Sequence, residues 1–199
     1  MLGDERGPFR SFDRLEANLG PRAADLLFAM NAGMYDEQGR PIGLYLEEGE
    51  ERHPLNRRDG PGNFHLKPNG VFAVDSEGRV SIETAPEHSG KPRWATQSGP
   101  MLVIDGALHP AIRPNGESLY VRNGVGVADE STAWFAISDE PVSFGRLARL
   151  FRDSLGCRNA LYFDGAVSSL WDREAGRQDN YASLGPMVAV FDAAPTPSE

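Results

Sequence analysis

The sequence predicts an α+β fold: a single domain of mostly antiparallel, mixed sheet with hairpins and two or three helices. Three observations point there. Short apolar runs recur and are separated by turn-forming stretches such as Asp75-Ser76-Glu77-Gly78 and Asp105-Gly106, which signal hairpins. Gly 22 and Pro 15 in a chain of 199 residues supply many tight turns, which suits a strand-rich fold. Few stretches show helical spacing.

Taken in order, Ser11 is placed to cap a short helix in which Phe12, Leu15 and Leu19 share a face and Gly20-Pro21 ends the element. Leu26-Leu27-Phe28-Ala29 reads as a buried strand running into the turn Asn31-Ala32-Gly33. Ile42 to Leu46 reads as a second strand, and the acidic run Glu47-Glu48-Gly49-Glu50-Glu51 as a solvated turn. Arg52 to Gly70 is the longest irregular segment, since Pro54, Gly60, Pro61, Gly62 and Pro68 forbid one regular element; loops of that length are often functional. Gly70 to Val74 and Arg79 to Glu83 form a hairpin, and a Pro/His/Gly loop leads on to Trp94. Met101 to Ile104 is a strand turned by Asp105-Gly106. Val121, Val125 and Val127 mark another, and Ala133 to Ile137 the next.

The clearest helix follows. Ser143 caps it; Phe144, Leu147, Ala148, Phe151 and Leu155 recur at helical spacing; Arg146, Arg149 and Arg152 lie off that face; Gly156 stops it. Ala160 to Phe163 is a buried strand ending at Asp164-Gly165, and Met187 to Phe191 is the last strand. Residues 1–192 form one domain without repeat or linker, and 193–199 is expected to be a disordered tail.

Composition narrows the function. Acids outnumber bases 29 to 20, a net charge of −9, which speaks against a nucleic-acid or polybasic membrane-surface binder. It does not exclude an anionic small molecule, because the local field decides that. The single cysteine, Cys157, excludes an intrachain disulfide and a Cys-rich zinc site; it sits just past a helix C-terminus, where the dipole disfavours a thiolate. No apolar run approaches the roughly 20 residues of a membrane helix. The polar start, Met1-Leu-Gly-Asp-Glu-Arg, is no leader peptide and on its own speaks for the cytoplasm.

Three places share one pattern, a polar residue at a strand end with glycine directly after it or one residue on: Asn31-Ala32-Gly33, Arg122-Asn123-Gly124 and Asp164-Gly165. Glycine there lets the backbone approach a ligand, and strand ends present side chains to clefts. Ordinary turn chemistry accounts for each site equally well; an amide, a cation and a carboxylate in one chain also fit a pocket. Ser98, in Gln97-Ser98-Gly99-Pro100, lacks the first glycine of a nucleophile elbow, so it reads as a hydroxyl that orients a ligand. Ser168 and Ser169 read as a turn or cap, or as hydroxyl donors to a sugar or phosphate. Of the histidines His53, His65, His88 and His109, none has metal-ligand spacing; His65, beside Asn63-Phe64 in the long loop, reads as an exposed loop histidine or a ligand contact. Trp94, Trp134 and Trp171 read as core, with Trp171 also placed to stack on a sugar.

Five segments together resemble the phosphodiester glycosidase domain family: Phe28-Ala-Met-Asn-Ala-Gly-Met-Tyr35, Gly62-Asn-Phe64 with Pro68-Asn-Gly-Val-Phe72, Gln97-Ser-Gly-Pro-Met101, Arg122-Asn-Gly-Val-Gly126 and Leu161-Tyr-Phe-Asp-Gly-Ala-Val-Ser-Ser169. The resemblance runs from about Phe28 to Phe191, and the motif variants are similar to the bacterial branch. It implies hydrolysis between the sugar and the phosphate of a sugar-1-phosphodiester. It points to Asp164 as general base or nucleophile, to Arg122 as a bidentate grip on the phosphate, and to Asn31, Gln97, Ser168 and Ser169 as pocket residues, with Ser98, Asn63 and His65 as further contacts. Arg57, Arg58 or His65 are placed to close over the anion or to be solvated. No metal or cofactor is predicted, the expected partner is a small sugar phosphodiester or glycan, and nothing sets the oligomeric state.

The family often has Asp-Gly-Gly where this chain has Asp164-Gly165-Ala166, and alanine is strained if that position needs φ > 0. Members also usually carry a strand or two before the Ser11 helix, so either an edge strand is lacking or the sequence is truncated at its N-terminus. Export to the periplasm or outside the cell is what the resemblance implies for location.

The chemistry is physically coherent with one carboxylate. Most glycosidases need a second as acid for a poor leaving group. A phosphomonoester has a second pKa of about 6 and departs with little proton donation. Asp105, Glu117 and Asp139 are candidates for a second carboxylate, none singled out by its surroundings. A carbohydrate- or phosphate-binding envelope protein without turnover, and a phosphodiesterase cutting the P–O bond, are the rival readings.

Overall fold

The computed structural model describes residues 1–4 and 7–192, so the expected tail at 193–199 lies outside the described residues. A two-residue pair, β1 (Gly3–Asp4) with β2 (Gly7–Pro8), precedes α1 (Phe12–Leu19). Then come β3 (Leu26–Asn31), β4 (Tyr45–Glu47), β5 (Glu50–His53), β6 (Gly70–Val74), β7 (Val80–Thr84), β8 (Trp94–Ser98), β9 (Met101–Ile104) and β10 (Ala107–Leu108). The rest is β11 (Asn123–Asp129), β12 (Thr132–Ile137), α2 (Phe144–Arg149), β13 (Asn159–Tyr162), β14 (Leu170–Asp172), β15 (Arg177–Gln178) and β16 (Met187–Phe191). The larger sheets run in the orders β5-β4-β8-β6-β7, β10-β9-β13-β11-β12 and β15-β14-β3-β16. Pairing among the described strands is antiparallel throughout, as the hairpin signals predict.

Alternation along the strands assigns the layers. Leu161 and Phe163 enter a central core with Met30, Phe72, Ile82, Met101, Val125 and Val127, shared by the three sheets. Ala160 and Tyr162, on the other face, pack with Leu147, Ala148 and Phe151 beneath α2. A Cβ on Gly126 would lie 2.5 Å from Phe151, so glycine lets this helical segment rest on the backbone of β11. Phe12, Leu15 and Leu19 of α1 cover the third sheet together with Trp171, which is therefore a core residue. Ser11 and Ser143 cap the two helices, accepting from Arg14 N and Arg146 N.

Several boundaries differ from expectation. The acidic run is a hairpin: Glu47 ends β4, Glu50 begins β5, and only Glu48-Gly49, both left-handed, form the turn. The strand expected from Ile42 starts at Tyr45, and Val121 lies before β11. β8 and the β14–β15 hairpin were not expected at all, because Trp94-Ala-Thr-Gln-Ser98 buries polar groups instead of alternating them with exposed ones. The long helix is α2 followed by a wider, π-type turn over Leu150–Ser154, and Gly156 at φ +64° ends it. Trp134, read as core, is 45% exposed. Among the described residues no helix is long and apolar enough to cross a membrane.

Antiparallel register decides where the site forms. The end of β13 lies beside the start of β11, with Tyr162 opposite Gly124 and the Phe163 N–H on the Asn123 carbonyl. The start of β14 lies beside the end of β3, with Leu170 opposite Met30 and the Asn31 N–H on the Ser169 carbonyl. Residues 163–169 therefore cross from one sheet to another with Asn31 and Asn123 on their flanks.

Candidate active site

A buried crossing needs partners for its backbone polar groups. Asn31 supplies them: Nδ2 donates to the Asp164 carbonyl at 2.9 Å, and Oδ1 accepts from the Ser169 N–H and from Asn123 Nδ2, both at 2.8 Å. Asn123 Nδ2 also faces the Asn31 carbonyl at 3.1 Å. Ser168 Oγ lies 3.1 Å from the Val121 carbonyl and 3.3 Å from Asn123 Oδ1; Ser169 Oγ donates to the Val167 carbonyl at 2.7 Å. All four side chains are buried. The sequence reading makes Asn31, Ser168 and Ser169 ligand contacts. The structure does bring them together with Asp164, but turns their polar atoms onto protein groups, so they hold the loop that presents the carboxylate.

Asp164 is half-buried at the head of this loop. Its Oδ1 accepts from the Ala166 N–H at 3.2 Å, and no cation pairs with it among the described residues. Burial pushes its carboxyl above the ordinary 3.8, opposed only by that amide. Ala166 lies in a short right-handed turn, Gly165–Val167, and is not among the left-handed residues, so alanine in place of the family's second glycine brings no strain. Gly165 is needed for another reason. A Cβ there would lie 1.8 Å from the Tyr162 hydroxyl.

Tyr35, from the loop after β3, borders the same carboxylate. Its hydroxyl donates to the Ser183 carbonyl at 2.6 Å. Burial, reinforced by the Asp164 charge and opposed by Arg10, pushes its phenol up to about 12. Arg10 is tied to the same rim through Nε to Ser183 Oγ at 2.7 Å.

Arg122 departs from the expected role. Its guanidinium does not lie open for a two-point grip on phosphate: the residue is 1% exposed. Nε donates to the Val142 carbonyl at 2.8 Å, Nη1 to the Tyr162 hydroxyl at 3.2 Å, and Nη2 to Ser118 O at 3.0 Å and Oγ at 3.2 Å. The Phe144 ring stacks on it at 3.7 Å. Among the described residues no carboxylate pairs with this cation, so its charge is stabilised by carbonyls, hydroxyls and a ring.

The other candidates lie around this cluster. Gln97 is buried and pins the long loop: Oε1 accepts from Leu44 N and Asn56 N, both at 2.9 Å, and Nε2 donates to the Asn56 carbonyl at 2.7 Å. Ser98 is buried, and among the described residues its hydroxyl has no partner. Asn63 is exposed, and its carbonyl lies close to Gly99. His65 is half-buried with Nδ1 3.1 Å from the Arg58 carbonyl. Arg57 reaches the His88 carbonyl and Arg58 is exposed. Asp105 and Asp139 are ion-paired with Arg158 and Arg177. Burial pushes the Cys157 thiol up to about 11, against a nucleophilic role. Two cavities, about 570 Å³ between β4, β8, β12 and β16 and about 450 Å³ beside α2, have walls that do not include Asp164, Asn31, Gln97 or Arg122.

Three neighbours of Asp164 were missed. Tyr162 stands two residues earlier on the same strand face, Asn123 follows Arg122 in a quoted motif, and Tyr35 closes another. Period-two alternation would have found the first.

The phosphodiester glycosidase family model matches residues 24–188. An uncharacterized protein of Escherichia coli strain K12, YigE, is 40% identical over 145 residues, covering 72% of this chain; the chain spans 57% of that relative. The auto-inhibited catalytic domain of zebrafish N-acetylglucosamine-1-phosphodiester alpha-N-acetylglucosaminidase shares the fold, with TM-score 0.60 and 14% identity over 87% of this chain and 66% of that one. A hypothetical protein from Synechocystis does so with TM-score 0.51 and 12% identity, over 84% of this chain and 51% of that one. A family match that begins just before β3 and ends within β16 takes in the whole crossing around Asp164, and by it the chain belongs to the phosphodiester glycosidase family.

Proposed function

We propose that this protein hydrolyses a sugar-1-phosphodiester between the anomeric carbon and the phosphate oxygen, releasing free sugar and a phosphomonoester. Family membership supports the reaction class. The observation that carries the reading is Asp164: a half-buried carboxyl without a cation partner among the described residues, raised above its ordinary range and presented by a loop that Asn31 holds at both ends. A raised carboxyl is a better base near the working pH.

In the proposed reaction Asp164 takes a proton from the attacking water, whose oxygen bonds to the anomeric carbon. The carbon–oxygen bond breaks and its electron pair leaves with the phosphate. Because the departing group is a phosphomonoester, with a second pKa near 6, no strong acid is required. The buried Arg122 charge favours negative charge at this end of the sheet.

The zebrafish neighbour's name makes an N-acetylglucosamine-1-phosphodiester the first substrate to try. The test is incubation with its methyl phosphodiester in heavy-oxygen water. Label in the sugar and loss of about 10²-fold or more in rate for Asp164→Asn are the expected results. Label in the phosphate assigns a phosphodiesterase, and binding without product assigns a binding protein; either overturns the reading. Proton NMR of the first-formed anomer separates a base, which inverts, from a nucleophile, which retains.

A further inference from the structure

The Tyr162 hydroxyl receives donors and has nowhere to place its own proton. Arg122 Nη1 donates to it at 3.2 Å, and the Gly165 N–H faces the same oxygen. Both are donors, so both must use the phenol's lone pairs. Among the described residues no acceptor for its proton lies within hydrogen-bond distance. These two donors satisfy the oxygen, and what remains is the proton, a donor left over on a buried group.

Position gives that proton a use. Tyr162 and Asp164 share a face of the strand end, and the hydroxyl lies directly beneath the Asp164-Gly165 turn, where a Cβ on Gly165 would come within 1.8 Å of it. The ring cannot swing away. It is buried under α2, with Phe144 packed edge-on at 4.7 Å. A fixed ring, a cation on the oxygen and a leftover proton near a carboxylate without a cation partner among the described residues are the parts of a preorganised donor.

We propose that Tyr162 is a catalytic hydrogen-bond donor to the phosphate oxygen leaving the anomeric carbon, and that Arg122 is a positioning residue acting through it. This rests on the hydrolytic reading above. Arg122, by donating to the phenol oxygen, strengthens the O–H as a donor. The proton is shared and not transferred: water gives its proton to Asp164, the bond electrons go to the phosphate oxygen, and Tyr162 stays neutral. Burial, with the Asp164 charge, holds the phenol above its ordinary value against Arg122 and Gly165, in keeping with a group that retains its proton.

The test uses aryl phosphodiesters of N-acetylglucosamine graded in the acidity of the departing phosphate, with wild type, Tyr162→Phe and Arg122→Lys. Circular dichroism and thermal unfolding check the fold of each. Tyr162→Phe is expected to lose about 10²–10³-fold in kcat on the least acidic leaving group with KM nearly unchanged, and to approach wild type on the most acidic. Arg122→Lys should show the same slope with a smaller loss. Rates equal to wild type across the series, or reduced by one constant factor, overturn the assignment while leaving hydrolysis intact. No wild-type turnover of any member overturns the hydrolytic reading and this proposal together.

Discussion

Asn31 donates to the main-chain carbonyl of Asp164 from 133 residues away, through a side chain with no solvent exposure. The carboxylate is thus aimed by an amide from another sheet. Few side chains could do this. The crossing presents a carbonyl at Asp164 and an N–H at Ser169, so its partner must donate at one end and accept at the other, and must be neutral to stay buried.

Replacing Asn31 by leucine keeps the volume and removes both functions. The Asp164 carbonyl, the Ser169 N–H and Asn123 Nδ2 all lose a partner in the interior. Asn123 Nδ2 keeps the Asn31 main-chain carbonyl and the Asp164 carbonyl keeps the Val167 N–H, so the Ser169 N–H is the group left unsatisfied, and urea unfolding should show a loss of about 1–3 kcal/mol. Turnover measured where the variant is fully folded should fall in kcat more than in KM.

Asp164 carries a signature in the pH dependence of stability. Unfolded, its carboxyl titrates at the ordinary 3.8; folded, burial raises it. Between those two values the folded state holds more protons, so stability falls as pH rises through the window and stays lower above it. Asp164→Asn abolishes that penalty. The variant should melt higher than wild type at pH 7, with the difference closing below the ordinary carboxyl value, and wild-type activity should rise with pH through the raised native value. A variant less stable than wild type at pH 7 would contradict the burial account.

Gln97 bears on the long loop. It bonds both backbone groups of Asn56 and the N–H of Leu44, and the loop beyond exposes Arg57 and Arg58. Gln97→Ala should leave global stability less affected than local order. Trypsin cleavage after Arg57 or Arg58 is expected to accelerate about tenfold or more, with the unfolding midpoint shifting modestly.

Much of this fold was legible from local chemistry. Asp105-Gly106 and the Ser143 cap act through neighbours in sequence, and both appear where the residues require them. β8 was not legible, because Thr96, Gln97 and Ser98 are buried polar residues, and the partners of Thr96 and Gln97, Gly33 N and Asn56, come from elsewhere in the chain. The site shows the same division. The strand-end pattern singles out Asn31, Arg122 and Asp164 as pocket candidates and leaves ordinary turn chemistry open for each. Which of them face a ligand and which face the protein depends on register and on side-chain direction, and composition carries neither. Arg122 is the clearest case: its charge suggests phosphate, while its surroundings are Val142, Ser118, Tyr162 and Phe144.

The Asp164-Gly165 pair offers a final test through its collision partner. Alanine at 165 would bring a Cβ within 1.8 Å of the Tyr162 oxygen and 2.8 Å of its Cζ. Neither group can withdraw easily, since the ring is packed under α2 and the turn is tied to Asn31. Gly165→Ala should therefore destabilise the protein by about 1–3 kcal/mol, the usual cost of overpacking. In a Tyr162→Phe background the oxygen contact is gone and the ring carbons Cζ and Cε2, at 2.8 and 3.2 Å, remain tight. The alanine should then be partly tolerated, with a coupling of about 1 kcal/mol or more in a double-mutant cycle read by urea unfolding. Strict additivity of the two substitutions would mean that the hydroxyl is not what requires glycine there, and that the turn has a second constraint at position 165.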